Sequence, residues 1–186
     1  MVVRGRTLGG ALSRTGSAPM GHAGRVQTSR DVRLREAVPT DAFSVAALHI
    51  QDERERGHVP AAGFLDRFAD AWLRDRARRT WLAEEVEGRP VGVLHGTRVQ
   101  KLPSAHRPAD AWFHVSFLYV AVDARGHGLG ERLLRTLVGW AASDGVGRVQ
   151  LTAVPQARTL YERVGLGAPD ERLMELRLGR PSGPSA

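Results

Sequence analysis

Cysteine is absent from the 186 residues, which removes disulfides, thiolate metal ligands and any covalent cysteine mechanism. The redox compartment is accordingly not reported by the sequence. Lysine is nearly absent too. Lys101 is the only lysine among 27 basic residues, a pattern that reflects a bias toward arginine codons more than a functional choice. No apolar stretch approaches the about 20 residues that span a bilayer, because arginine, aspartate or glycine interrupts every run. These absences exclude a membrane-spanning helix and point to a soluble protein with the cytoplasm as its setting. What remains is 42% hydrophobic and 25% charged residues, ordinary for one catalytic or binding domain.

The formal charge of +7 invites a nucleic-acid reading that its distribution does not support. Residues 1–30 hold Arg4, Arg6, Arg14, Arg25 and Arg30 and no acid. From Asp31 onward, 22 basic residues face 20 acidic ones without a basic stripe interleaved with aromatics. No nucleic-acid or membrane partner is expected. The leader is rich in glycine, serine and arginine and lacks apolar period, so disorder is expected over 1–30 and again over 180–186, flanking a domain over 31–179. An organellar transit peptide, an over-extended start before Met20 and a plain disordered leader all fit that composition.

Between the tails, strand and helix signals alternate. VRLREA at 32–37 has the two-residue alternation of a half-buried strand, and Pro39-Thr40-Asp41 starts a helix running to about Arg56. A second helix is expected from about Ala62 to Arg78, with Phe64, Phe68, Ala71 and Trp72 inward. TWLAEEV and RPVGVLHGTRVQ flank Glu87-Gly88 as a β-hairpin. AWFHVSFLYVAV then reads as a central strand. A helix over 129–144 follows, with Leu133, Leu134, Leu137, Val138 and Ala141 as its apolar stripe. RVQLTAV, QARTLYERV and LMELRL read as strand, helix and last strand.

Between the central strand and the third helix lies Arg125-Gly126-His127-Gly128-Leu129-Gly130-Glu131. The first amides of a helix have no intrahelical partner and sit at the positive end of its dipole, and glycines let an anion approach them. Glu131 stands where a dinucleotide fingerprint needs its third glycine, and a Walker A ending is absent. A phosphate cradle and a simple tight turn both remain open on this stretch alone.

Leu118-Tyr119-Val120 followed by Arg125-Gly126-His127-Gly128-Leu129-Gly130 resembles the Arg/Gln-x-x-Gly-x-Gly/Ala segment of the GNAT N-acetyltransferase superfamily. Leu160-Tyr161-Glu162-Arg163-Val164-Gly165-Leu166 is similar to that family's second signature. The expected element order also matches its β-α-α-β-β-β-α-β-α-β plan. The resemblance implies a mixed α/β fold with a central, mostly antiparallel sheet of six to seven strands, flanked by about four helices and splayed between the fourth and fifth strands. It also implies acetyl-CoA, or another acyl-CoA, as co-substrate, with no metal. The amides of Gly126 to Glu131 would hold its pyrophosphate, Arg125 would lie near the phosphates, and the backbone of Leu118, Tyr119 and Val120 would pair with the pantetheine arm. Three departures stand out: Val122 replaces a usual proline, the asparagine common after the fifth strand is missing, and Leu166 replaces phenylalanine.

Acyl transfer from a thioester to an amine needs a neutral amine, donors for the oxyanion and an acid for the departing thiolate. Tyr161 is the acid that the resemblance implies, with a place as a core aromatic as the alternative. His114 stands where family members place a catalytic glutamate and is the candidate base, grouped by the two-residue period on one face with Ser116, Leu118 and Val120. A strand histidine bonded within the sheet is the alternative there, and Glu53, Glu84 and Glu85 are further base candidates. Thr152 stands near the place where protein N-terminal acetyltransferases carry a glutamate. By resemblance the acceptor, a small-molecule amine on this reading, would meet the 57–62 linker, Trp112 and Phe113, with Trp81 as a further candidate, while core packing is the reading the residues themselves favour for each of these aromatics. A weakly catalytic acyl-CoA-binding module, a phosphate-ligand binder and acetylation of a protein amine are the competing functions. Dimers are common in proteins resembling this one, so a homodimer is an expectation.

Overall fold

In the computed structural model the second strand of the hairpin is covered on both faces, with Val91, Val93 and Leu94 fully buried. The model describes residues 31–106 and 109–176, so the expectations for 1–30 and 180–186 lie outside the described residues. Five strands, β1 (Val32–Glu36), β2 (Arg78–Glu85), β3 (Pro90–Gln100), β4 (Ala111–Val120) and β5 (Val146–Leu151), lie side by side in sequence order. The β1–β4 pairs are antiparallel, and β4 with β5 is parallel. The hairpin turn between β2 and β3 holds Gly88 at φ 84°, a conformation that a side chain would strain.

Helices cover both faces of the sheet. On one face α3 (Leu129–Ser143) buries Leu133, Leu134 and Leu137 completely. Its Trp140 ring lies 5.3 Å from Trp81 and 5.2 Å from Phe113. On the other face α1 (Ala42–Glu55) buries Val45 and Leu48. α2 (Phe64–Arg74) follows α1, and α4 (Arg158–Arg163) lies near the chain's end. No helix among the described residues is long and apolar enough to cross a membrane.

Several expectations need correction. The sheet has five strands among the described residues instead of six to seven, because Leu173–Leu176 form no strand and expose their apolar side chains. α2 ends at Arg74, where Asp75 accepts hydrogen bonds from the Ala77 amide and the Arg78 guanidinium and turns the chain into β2. Within α2 the buried alanine is Ala69, and Ala71 is exposed. β5 stops at Leu151 because Pro155 opens a short 3-10 turn ahead of α4.

The register of β4 departs from a regular strand at one place. Opposite β3, His95 pairs with Phe117 but Gly96 pairs with Val115, so Ser116 is the extra residue of a β-bulge. Its effect reaches every residue beyond it. Phe113 packs on Trp140 of α3, so His114 faces α1, and beyond the bulge Phe117 stacks on His49 of α1 at 3.7 Å. Leu118, opposite Leu94, and Val120 therefore face α3. The grouping of His114 with Leu118 and Val120 is overturned, since one inserted residue flips the alternation.

Candidate active site

The site begins where two strands part. β4 and β5 pair from Ala111–Val146 to Val115–Leu151 and no further, while β4 continues to Val120 paired with β3 alone. The Ala121 amide donates to Val91 of β3 at 2.9 Å, so strand alternation turns the backbone groups of Val120 to the side away from β3, where its carbonyl accepts from Arg125. This opening is the expected splay, and it leads directly into the glycine turn.

Gly126 and Gly128 hold φ of 81° and 71°, and Gly128 is the residue that precedes the first turn of α3. A Cβ at either would meet nothing within 4 Å, so the space over the turn is open. A ligand can therefore approach these amides, and the requirement for glycine is conformational. Gly130 differs, because a Cβ there would lie 3.3 Å from Leu160 of α4. It is the packing glycine of the three. His127 and Arg125 are exposed, and Leu129 is buried as the helix anchor. Glu131, an acid in the first helical turn, is held by Arg163 at 3.0 Å and Arg135 at 2.8 Å. Those two guanidiniums keep its carboxyl below the ordinary range and offset its charge beside the turn.

Arg125 turns away from the helix end. Its Nε donates to Val120 O at 2.8 Å, its Nη2 donates to Glu55 of α1 at 2.6 Å, and its guanidinium carbon lies 5.6 Å from the Tyr119 ring centroid. Tyr119 is buried and donates its hydroxyl to the same Glu55 carboxylate. Burial, then Glu55, raises the Tyr119 phenol. The hydrogen bonds from Tyr119 and Arg125 overcome burial to lower Glu55. Glu55 thus ties the end of α1 to the glycine turn. The sequence analysis missed it, because it lies 70 residues from its arginine partner.

Tyr161 sits on the half-buried face of α4 with Leu160 and Val164, and burial raises its phenol. His114 is half-buried between Thr97 of β3 and Gln150 of β5. The other base candidates are engaged elsewhere: Glu53 with His58 at 2.7 Å, Glu84 with Arg35 at 3.0 Å, and Glu85 with Arg89 at 2.8 Å. Phe113 and Trp81 are packed in the core beneath α3, the reading favoured for both over a place in an acceptor site. Trp112 stays half-buried between Lys101 and Arg148, at 5.3 and 5.5 Å from its centroid, and the 57–62 linker is largely exposed. Thr152 is exposed just past β5.

A second group escaped the sequence analysis. His49 of α1 and His95 of β3 bring their Nε2 atoms within 2.8 Å, and His95 Nδ1 lies 3.1 Å from both Arg78 Nη1 and Ser116 Oγ. Burial and then the Arg78 charge push His49 down to about 4. Burial, the neighbouring His49 and Arg78 push His95 down to about 3. The only sequence signal was a histidine inside an otherwise apolar strand. Both rings are neutral in the folded protein at pH 7, whereas an unfolded histidine takes a proton near 6.5. The unfolded chain therefore binds more protons than the folded one as pH falls, and stability drops with it. We expect the melting temperature to fall between about pH 6.5 and 4.5, above the range where carboxylates protonate. A melting temperature flat across that window in the wild type, measured by calorimetry, would show that the pair does not stay neutral.

Residues 45–166 match the acetyltransferase (GNAT) family. Similar solved structures include a predicted acetyltransferase from Clostridium acetobutylicum determined with acetyl-CoA, 18% identical, with a TM-score of 0.64 over 78% of this chain and 96% of that one. A ribosomal-protein-alanine N-acetyltransferase from Brucella melitensis is 25% identical, with a TM-score of 0.61 over 80% and 99% of the two chains. A glucosamine-6-phosphate N-acetyltransferase from Arabidopsis thaliana is 16% identical, with a TM-score of 0.60 over 78% and 97%. With the parted strands, the glycine turn and a family match across both, the chain belongs to the GNAT family of acetyltransferases and is an acyl-CoA-dependent enzyme.

Proposed function

We propose that this protein transfers an acetyl group from acetyl-CoA to a primary amine of a small molecule, by direct attack in a ternary complex without an acyl-enzyme. The observation that carries the reading is the continuous opening from the unpaired edge of β4, past Val120, to the open glycine turn before α3. An extended arm can lie along the first, and a pyrophosphate can sit on the second. Bound acetyl-CoA supplies an electrophilic thioester carbonyl and a thiolate leaving group.

The chain's own residues do the rest. The amides from Gly126 to Glu131 hold the phosphates, and the backbone of Leu118 to Val120 orients the arm. Tyr161 gives its phenolic proton to the departing sulfur; burial keeps it protonated until then. His114 takes the proton that the amine loses, directly or through water. No metal has a part in this scheme. The reaction belongs in the cytoplasm, and a homodimer is the assembly we expect.

The test is calorimetric binding of acetyl-CoA, followed by an assay of thiol release with glucosamine 6-phosphate, tyramine and a short peptide that begins with alanine. Transfer to a small amine over the peptide supports the proposal, whereas transfer to the peptide alone replaces it with a protein substrate. Tyr161→Phe should lower kcat by about 100-fold with acetyl-CoA affinity unchanged. An unchanged kcat would return Tyr161 to core packing.

A further inference from the structure

The hydrogen-bond chemistry of the buried histidine pair has one consistent solution. Arg78 has only donors, so His95 Nδ1, 3.1 Å from Arg78 Nη1, carries no proton. His95 is therefore protonated on Nε2 and donates to His49 Nε2, and His49 carries its own proton on Nδ1. Ser116 Oγ lies 3.1 Å from that unprotonated Nδ1 and 3.4 Å from the His95 carbonyl oxygen. Both of these are acceptors. With both acceptors on His95, the Ser116 hydroxyl proton is drawn toward that residue and its lone pairs point away.

Three observations hold this arrangement in place. His95 is 4% exposed, Asp75 fixes Arg78 by an ion pair of 2.9 Å, and the Phe117 ring stacks on His49 at 3.7 Å. Ser116 is exposed, and it stands one residue beyond the last β4–β5 pair, at the fork where the strands part. A hydroxyl whose proton is turned to His95 presents its lone pairs, and an amine brings the donors to match them.

We infer that Ser116 positions the acceptor amine, accepting a hydrogen bond from its N–H at the fork of β4 and β5, with Arg78, His95 and His49 fixing the direction of the hydroxyl. This rests on the acetyl-transfer reading above. An N–H held by Ser116 leaves the nitrogen lone pair free for attack, and the bond strengthens as positive charge develops on nitrogen. His95 acts through Ser116 and is a positioning residue.

Histidine-labelled ¹⁵N NMR of the full chain at pH 7.5 tests the network. Protonated Nε2 on His95 and protonated Nδ1 on His49 are expected, and an Nδ1–H on His95 overturns the inference. Kinetics with the best of the three amines above then test the role. Ser116→Ala should raise KM for the amine about 10-fold or more, and lower kcat, with acetyl-CoA affinity unchanged; Ser116→Thr should restore most of the loss. Unchanged amine kinetics in Ser116→Ala, or an equal loss of acetyl-CoA affinity, overturns the inference while leaving the acetyl-transfer reading intact. A wild type that binds acetyl-CoA but acetylates none of the amines fails that reading first, and the inference falls with it.

Discussion

Gly128→Glu should abolish measurable acetyl-CoA binding while leaving a folded protein. Gly128 has φ of 71° at the start of α3, with open space over its missing side chain. A non-glycine residue in that conformation costs about 1–2 kcal/mol, and a carboxylate beside the proposed pyrophosphate site adds repulsion of several kcal/mol. The strain falls on folding stability, whereas the repulsion falls on binding and corresponds to a loss of affinity of more than about 100-fold, since each 1.4 kcal/mol is tenfold. Gly128→Asn separates the two causes, because asparagine tolerates the left-handed region and adds no charge. Calorimetry should give binding close to wild type for asparagine and none for glutamate. Wild-type affinity in Gly128→Glu would mean that the turn only connects a strand to a helix.

Gly96→Ala should unfold the protein or cost it more than about 3 kcal/mol, one of the larger effects open to a single methyl group. A Cβ at Gly96 would overlap the His114 carbonyl oxygen, and would lie 2.5 Å from the Phe113 ring and 2.9 Å from the His114 carbonyl carbon. Two of these atoms are backbone, so relief requires β3 and β4 to separate next to the Ser116 bulge. Phe113 cannot retreat, because it is fully buried between Trp81 and Trp140. Urea unfolding of Gly96→Ala is the measurement. A midpoint equal to wild type would show that the strands have slack where the structure has them in contact.

Much of the framework was legible because it is written in local periods. The stripe Leu133, Leu134, Leu137 and Ala141 announces the buried face of α3, and Val138 alone of that set stays exposed. The near-continuous apolar run of β4 and the glycine at 88 identify an interior strand and a tight hairpin from spacing and backbone freedom. Gly126 and Gly128 mark their turn for the same reason. The last strand failed this test. LMELRL has a strand's composition, yet Leu173–Leu176 make no ladder, because a strand is completed by its partner and not by its own residues.

The bulge and the side-chain networks lie beyond local reasoning. Ser116 differs in no local respect from its neighbours in an alternating strand; only the offset between His95–Phe117 and Gly96–Val115 makes it the extra residue. His49 meets His95 across 46 residues, and Glu55 meets Arg125 across 70. The sequence by itself determined the family, the element order to α4 and the glycine turn, since period, breakers and motif spacing act over a few residues. Tertiary structure alone decided which face His114 shares, why both buried histidines stay neutral, and which groups surround the Ser116 hydroxyl. Those outcomes depend on burial and on donors and acceptors brought together through space, and no local pattern encodes them.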